Sequence, residues 1–182
     1  MNMANFVMML TFFRLINAPI IFLLLVFFEL FSAVLFLFLL SALSDFLDGY
    51  LARKFNCESE IGKMLDPIAD KILLCASIFG IILITKDYYI GLTGMLILLR
   101  EFWISGIREF SALNNLHSKT SVSFLGKLKT SSQFLAISSF YFSFMINSSL
   151  GIFLSSFLLF LSLLFTLKSG LDYTRNIITN LR

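Results

Sequence analysis

The chain has 182 residues, 58% of them hydrophobic and 16% aromatic, with 23 Phe and only 14% charged residues. A soluble globular chain carries about 25% charge and about 45–50% apolar residues, so this composition excludes a water-soluble domain, and it equally excludes a disordered chain or, with two Cys, a disulfide scaffold. The net charge of +3 and pI near 9.0 fit the basic cytoplasmic face of a membrane protein, and no nucleic-acid partner is expected.

Charged residues divide the chain into charge-free runs at 15–28, 30–44, 72–85, 88–99 and 130–167. The last run has 38 residues. As a helix it would extend roughly 57 Å, against a hydrocarbon core of about 30 Å, so it must hold two spans. Asn147-Ser148-Ser149-Leu150-Gly151 is its one cluster of turn formers and marks the break. The shorter runs must reach past their charge-free cores, because about 20 residues are needed to cross. The expected architecture is an all-α integral membrane protein of six transmembrane helices, at about 5–28, 31–55, 60–85, 88–112, 127–147 and 150–172. With no internal repeat, linker or low-complexity segment, residues 1–182 read as a single domain.

Six spans put the turns near Glu29, Lys86-Asp87 and Ser148 on one side, and these contain one of the fourteen basic residues. Arg53, Lys54, Lys63, Lys119, Lys127, Lys129, Lys168, Arg175 and Arg182 collect on the other side, which the positive-inside rule makes cytoplasmic, with both termini. No basic n-region or small-residue cleavage site opens the chain, so no cleaved signal peptide is expected. Cysteines in this setting, Cys57 and Cys75, are expected to be free thiols.

Acidic residues stand where the spans should be apolar. Asp45 and Asp48 close the second span, and Asp66 and Asp70 open the third. Spacings of i,i+3 and i,i+4 put each pair on one helix face, and a short turn around residues 56–60 lets the two faces meet. Four carboxylates at the membrane centre would cost roughly 10 kcal/mol if uncompensated. Three readings of the compensation stay open at this point. The acids lie at a solvated helix end paired with Arg53, Lys54, Lys63 and Lys71; or they form an ion or proton path in a transporter; or they bind metal, since hard oxygen donors suit Mg²⁺ or Mn²⁺ and four acids balance two divalent ions. Gly49, Ala52 and Gly62 accompany the carboxylates and would let backbone approach a bulky ligand, although helix packing also uses small residues.

Written out, the stretch is Asp45-x2-Asp48-Gly49-x2-Ala52-Arg53-x8-Gly62-x3-Asp66-x3-Asp70. It closely resembles the signature of the CDP-alcohol phosphatidyltransferases. Thr11-Phe-Phe-Arg14, Arg100-Glu101 with Gly106-Ile-Arg108-Glu109, and Gly126-Lys127-Leu-Lys129-Thr130 are similar to segments of the phosphatidylglycerophosphate-forming branch of that family. Those enzymes commonly carry Asn three residues before the Thr of the first segment, where this chain has Met8.

The resemblance implies a six-helix enzyme of the cytoplasmic membrane, usually a homodimer, that passes the phosphatidyl group of CDP-diacylglycerol to an alcohol and releases CMP. It implies two Mg²⁺ or Mn²⁺ ions per site, with Asp45, Asp48 and Asp66 as ligands and Asp70 as general base that also touches the second metal. It further implies that Gly49, Ala52, Arg53 and Gly62 bind the CDP-diacylglycerol headgroup. The acyl chains stay among the membrane lipids.

The remaining cations bear on the acceptor. Arg14, Arg108, Lys127 and Lys129 suit a dianion such as glycerol 3-phosphate better than serine, although positive-inside topology alone would also place lysines there. Phosphatidylglycerol, which would give cardiolipin, serine and an inositol phosphate are the alternative acceptors; an ion-coupled transporter is the more distant alternative. Arg100 and Glu101 lie deeper, where mutual or interhelical pairing is expected.

Overall fold

The computed structural model describes residues 3–55, 60–113 and 124–180. Among these are six helices and no strand: α1 (Met3–Val26), α2 (Phe31–Phe55), α3 (Glu60–Thr85), α4 (Tyr88–Leu113), α5 (Phe124–Met145) and α6 (Ser149–Asn180). α2 and α3 have the expected bounds. α5 begins three residues early and ends two early, and α6 continues eight residues beyond the expected end at 172. Lys168, Asp172 and Arg175 interrupt the apolar run but not the helix, because Ile177 is buried and Thr174 accepts a hydrogen bond from Trp103 Nε1 at 3.3 Å. Once a helix leaves the bilayer, packing rather than hydropathy determines where it stops.

Five helices, α1 to α4 and α6, contain segments long and apolar enough to cross a membrane. α5 is more polar, with Lys129, Gln133 and a series of serines. Large apolar side chains lie on the surface throughout, including Phe27, Phe36, Phe46, Leu92, Phe153 and Leu171. Water would not tolerate such a surface but lipid does, and this is a multi-pass membrane protein.

The helix ends are set locally. Glu29, Lys86 and Asn147 adopt φ near +50° just beyond α1, α3 and α5, the left-handed residue that commonly stops a helix. Each lies in one of the three turns that the charge pattern marks. Asp87 Oδ1 accepts from the backbone N–H of Tyr89 at 2.7 Å and caps α4, and Ser148 Oγ accepts from Gly151 N at 3.1 Å and caps α6.

The chain divides into two compact units, Met1–Thr85 with Tyr141–Asn147, and Lys86–Phe140 with Ser148–Arg182. In the first, α1 packs on both α2 and α3. Its buried stripe is Thr11, Arg14, Asn17, Ala18, Ile21 and Leu25, the i,i+3,i+4 rhythm of one helix face. In lipid, close packing and interhelical hydrogen bonds hold helices together in place of the hydrophobic effect. Both are present here. Asn17 Nδ2 donates to Ser41 Oγ at 3.1 Å, tying α1 to α2. On α3, a Cβ at Gly80 would lie 2.5 Å from Leu25 Cδ2, so glycine permits the approach of α1. In the second unit α4 packs on α6.

Candidate active site

The first unit gathers its charges at one place. Asp45 and Asp48 come from α2, Asp66 and Asp70 from α3, and all four carboxylates meet the guanidinium of Arg14 on α1. Arg14 Nη1 donates to Asp45 Oδ1 at 2.5 Å and to Asp70 Oδ1; Nη2 donates to Asp48 Oδ2 at 2.5 Å and to Asp66 Oδ1 at 3.2 Å. Thr11, one turn before Arg14, donates its hydroxyl to Asp66 Oδ1 at 2.7 Å. Arg14 is fully buried and Asp48 nearly so, whereas the side chains of Asp45, Asp66 and Asp70 are 51%, 38% and 53% exposed. The cluster is therefore floored by Arg14 and Asp48 and open on the side of the other three acids.

The convergence of the four acids was legible in their spacing. Arg14 at their centre was not: its charge groups it in the sequence with Arg108, Lys127 and Lys129 as an acceptor-binding residue. The missed signal was an arginine inside the first apolar span, which had to meet acids somewhere, with Thr11, Asn17 and Ala18 marking the face it shares. Of the four cations that the solvated-end reading placed there, Lys54 turns to aromatic rings on its own helix. Lys54 Nζ lies over the rings of Tyr50 and Phe55, at 5.5 and 5.8 Å from their centroids. Gly49 is half-buried beside Asp48, and Gly62 is buried one turn before Asp66. The side chains of Ala52, Arg53, Lys63 and Lys127 lie outside the described residues, as do Cys57 and the whole of 114–123.

Four carboxylates without His or Cys are the donor type of Mg²⁺ and Mn²⁺, and their chemistry fits such ions. Among the described residues no group of three or more His, Cys, Asp or Glu stands in metal-holding geometry, and Arg14 contacts one oxygen of each acid.

The second unit holds its own polar cluster. Glu101 Oε1 accepts from Lys129 Nζ at 2.6 Å, from Arg100 Nη1 at 3.3 Å and from Gln133 Nε2 at 3.4 Å. Gln133 also donates to Thr166 Oγ1 at 2.9 Å, and Arg100 Nη2 to Ser169 Oγ at 3.1 Å. The pairing expected of Arg100 with Glu101 is present, and Lys129 joins it. Arg108 is exposed on α4, and Cys75 is a free thiol.

Residues 1–168 match the model of the CDP-alcohol phosphatidyltransferase family. The chain belongs to this family. Similar proteins within it include one from Wigglesworthia glossinidia brevipalpis, 40% identical over 163 residues that make up 85% of this chain and 88% of that protein. Another from Escherichia coli K12 is 36% identical over 139 residues, 73% of this chain and 74% of its own. A third, from Rickettsia typhi, is 48% identical over 103 residues, 56% of this chain and 55% of its own. All three are named CDP-diacylglycerol–glycerol-3-phosphate 3-phosphatidyltransferase. As a member of the phosphatidyltransferase family the chain is a transferase of phospholipid biosynthesis, and the family match spans the aspartate cluster as well as α4 and α5.

Proposed function

We propose that this chain transfers the phosphatidyl group of CDP-diacylglycerol to glycerol 3-phosphate, giving phosphatidylglycerophosphate and CMP. The observation that carries the reading is the meeting of four aspartates from two membrane helices at one partly open site. The names of the relatives support the choice of acceptor.

In this reading Asp45, Asp48, Asp66 and Asp70 hold two Mg²⁺ or Mn²⁺ ions. When bound, the ions supply charge stabilisation for the attacking and leaving oxygens of an in-line displacement. The rest falls to the chain. The acceptor hydroxyl attacks the lipid-side phosphorus, the bond from that phosphorus to the CMP oxygen breaks, and CMP leaves as an anion. Asp70, half-exposed at the open side, receives the hydroxyl proton. Gly49, Ala52 and Gly62 leave room for the nucleotide, and Arg53 pairs with its phosphates. Arg108, exposed on α4, and Lys127 attract the dianionic acceptor, whereas Lys129 is held by Glu101 and Arg14 by the four aspartates. The acyl chains remain in lipid alongside the exposed apolar faces of the helices.

The same reading sets the protein in the cytoplasmic membrane with its active site and both termini inside, supported by the one-sided distribution of Lys and Arg. It also takes the enzyme as a homodimer, which mass measurement in detergent tests directly. The activity test is CMP release by purified protein with CDP-diacylglycerol, Mg²⁺ and a panel of acceptors: glycerol 3-phosphate, phosphatidylglycerol, serine and an inositol phosphate. Release with glycerol 3-phosphate is expected. No release with it, or release only with another acceptor, refutes the assignment, and solute flux in proteoliposomes without CMP release would favour the transporter.

A further inference from the structure

We propose that Arg14 is an internal counter-cation which competes with divalent ions for the four aspartates, so that binding of the ions expels its guanidinium from the cluster. The proposal rests on the metal reading above and goes beyond it, since that reading gives Arg14 no part in the uptake of the ions.

Three observations lead here. First, Arg14 uses one oxygen from every acid: Asp45 Oδ1, Asp48 Oδ2, Asp66 Oδ1 and Asp70 Oδ1. An ion bridging these carboxylates needs the same oxygens and the same space. Second, the charges do not balance. Among the described residues one guanidinium faces four carboxylates, leaving three negative charges in surplus. Two divalent ions balance the four acids without help, so the net negative charge that draws the guanidinium in is gone once they bind. Third, the guanidinium is held at one edge. Its two Nη atoms carry all the bonds, while Nε, although buried, has no hydrogen-bond partner among the described residues. Among the described residues, no hydrogen bond other than those to the acids anchors the guanidinium once those acids turn to metal. The half-exposed Asp45, Asp66 and Asp70 give ions a way in.

The experiment uses full-length protein in detergent, stripped with EDTA, and follows Mn²⁺ binding by the electron paramagnetic resonance of the free ion. Removing the competing cation in Arg14→Gln is expected to tighten Mn²⁺ binding by about tenfold or more. Asp66→Asn is expected to weaken it. Unchanged or weaker binding by Arg14→Gln overturns the proposal. The second measurement needs no variant: phenylglyoxal modification of Arg14 in the wild-type protein, located by mass spectrometry. Arg14 is fully buried in the cluster, so slow modification in EDTA and at least about tenfold faster modification with Mn²⁺ is expected. Equal rates overturn the proposal. If the wild-type protein binds Mn²⁺ through its aspartates while Arg14 stays shielded, the competition alone fails. If it binds no Mn²⁺, the metal reading fails with it.

Discussion

The two units each bury an arginine against acidic side chains, four in the first and one in the second, so that their charge balance is opposite. In the first, one cation meets four carboxylates, three of them about half-exposed. In the second, one carboxylate meets Arg100 and Lys129, all three mostly buried, and its neighbours Gln133, Thr166 and Ser169 take up further hydrogen bonds. A cluster with its partners inside and little access to solvent is built to hold helices together in lipid. A cluster with surplus charge and an open side is built to take up something from outside. Charge imbalance combined with exposure, rather than the mere presence of ionisable groups in a membrane, is what distinguishes the first cluster from the second.

Substitutions can break this contrast from either side. The largest effect is expected for Asp48→Asn and Asp66→Asn, which should lower CMP release on the order of 10³-fold or more while the protein still inserts and purifies. Retained turnover in either variant would remove the first cluster from the chemistry. Next, Arg14→Met takes away the cation that, among the described residues, touches all four acids. Loss of one partner from a buried ion cluster costs about 3–5 kcal/mol, and solvent screening of three of these acids puts the expected loss at the lower end of that range. Unfolding in detergent with EDTA measures it, and added Mn²⁺ should restore most of the stability.

In the second unit the expected effects fall on stability more than on turnover. Glu101→Gln leaves two buried cations without their anion and should cost about 2–4 kcal/mol, read as a lower melting temperature with CMP release still measurable. If it instead abolishes turnover at unchanged stability, the contrast between the clusters fails. The smallest effect is expected at Gly170. A Cβ there would lie 2.7 Å from Arg100 Nε and 3.2 Å from its Cγ, so Gly170→Ala must push the middle of that side chain aside, at about 1–2 kcal/mol.

Much of the fold was legible because a bilayer imposes length on apolar runs. Charges frame α2 and α3 closely enough that both helices have the expected bounds, and the three left-handed turns fall at Glu29, Lys86 and Asn147. The pairing of acids was equally legible, since i,i+3 and i,i+4 spacing is a property of the helix itself. The central place of Arg14 was not. Its contacts join residues 31 to 56 positions apart and depend on how α1 settles against α2 and α3, which no local pattern encodes. The extension of α6 to Asn180 escaped for a related reason, because Ile177 and Thr174 are held by packing outside the apolar run.

The most direct test of the aspartate site is the number of Mn²⁺ ions bound per chain, measured by equilibrium dialysis of EDTA-stripped protein in detergent. Two ions per wild-type chain are expected, with none in a variant carrying Asn at 45, 48, 66 and 70. A wild-type protein that binds no Mn²⁺, or a fourfold variant that binds it undiminished, would contradict the site.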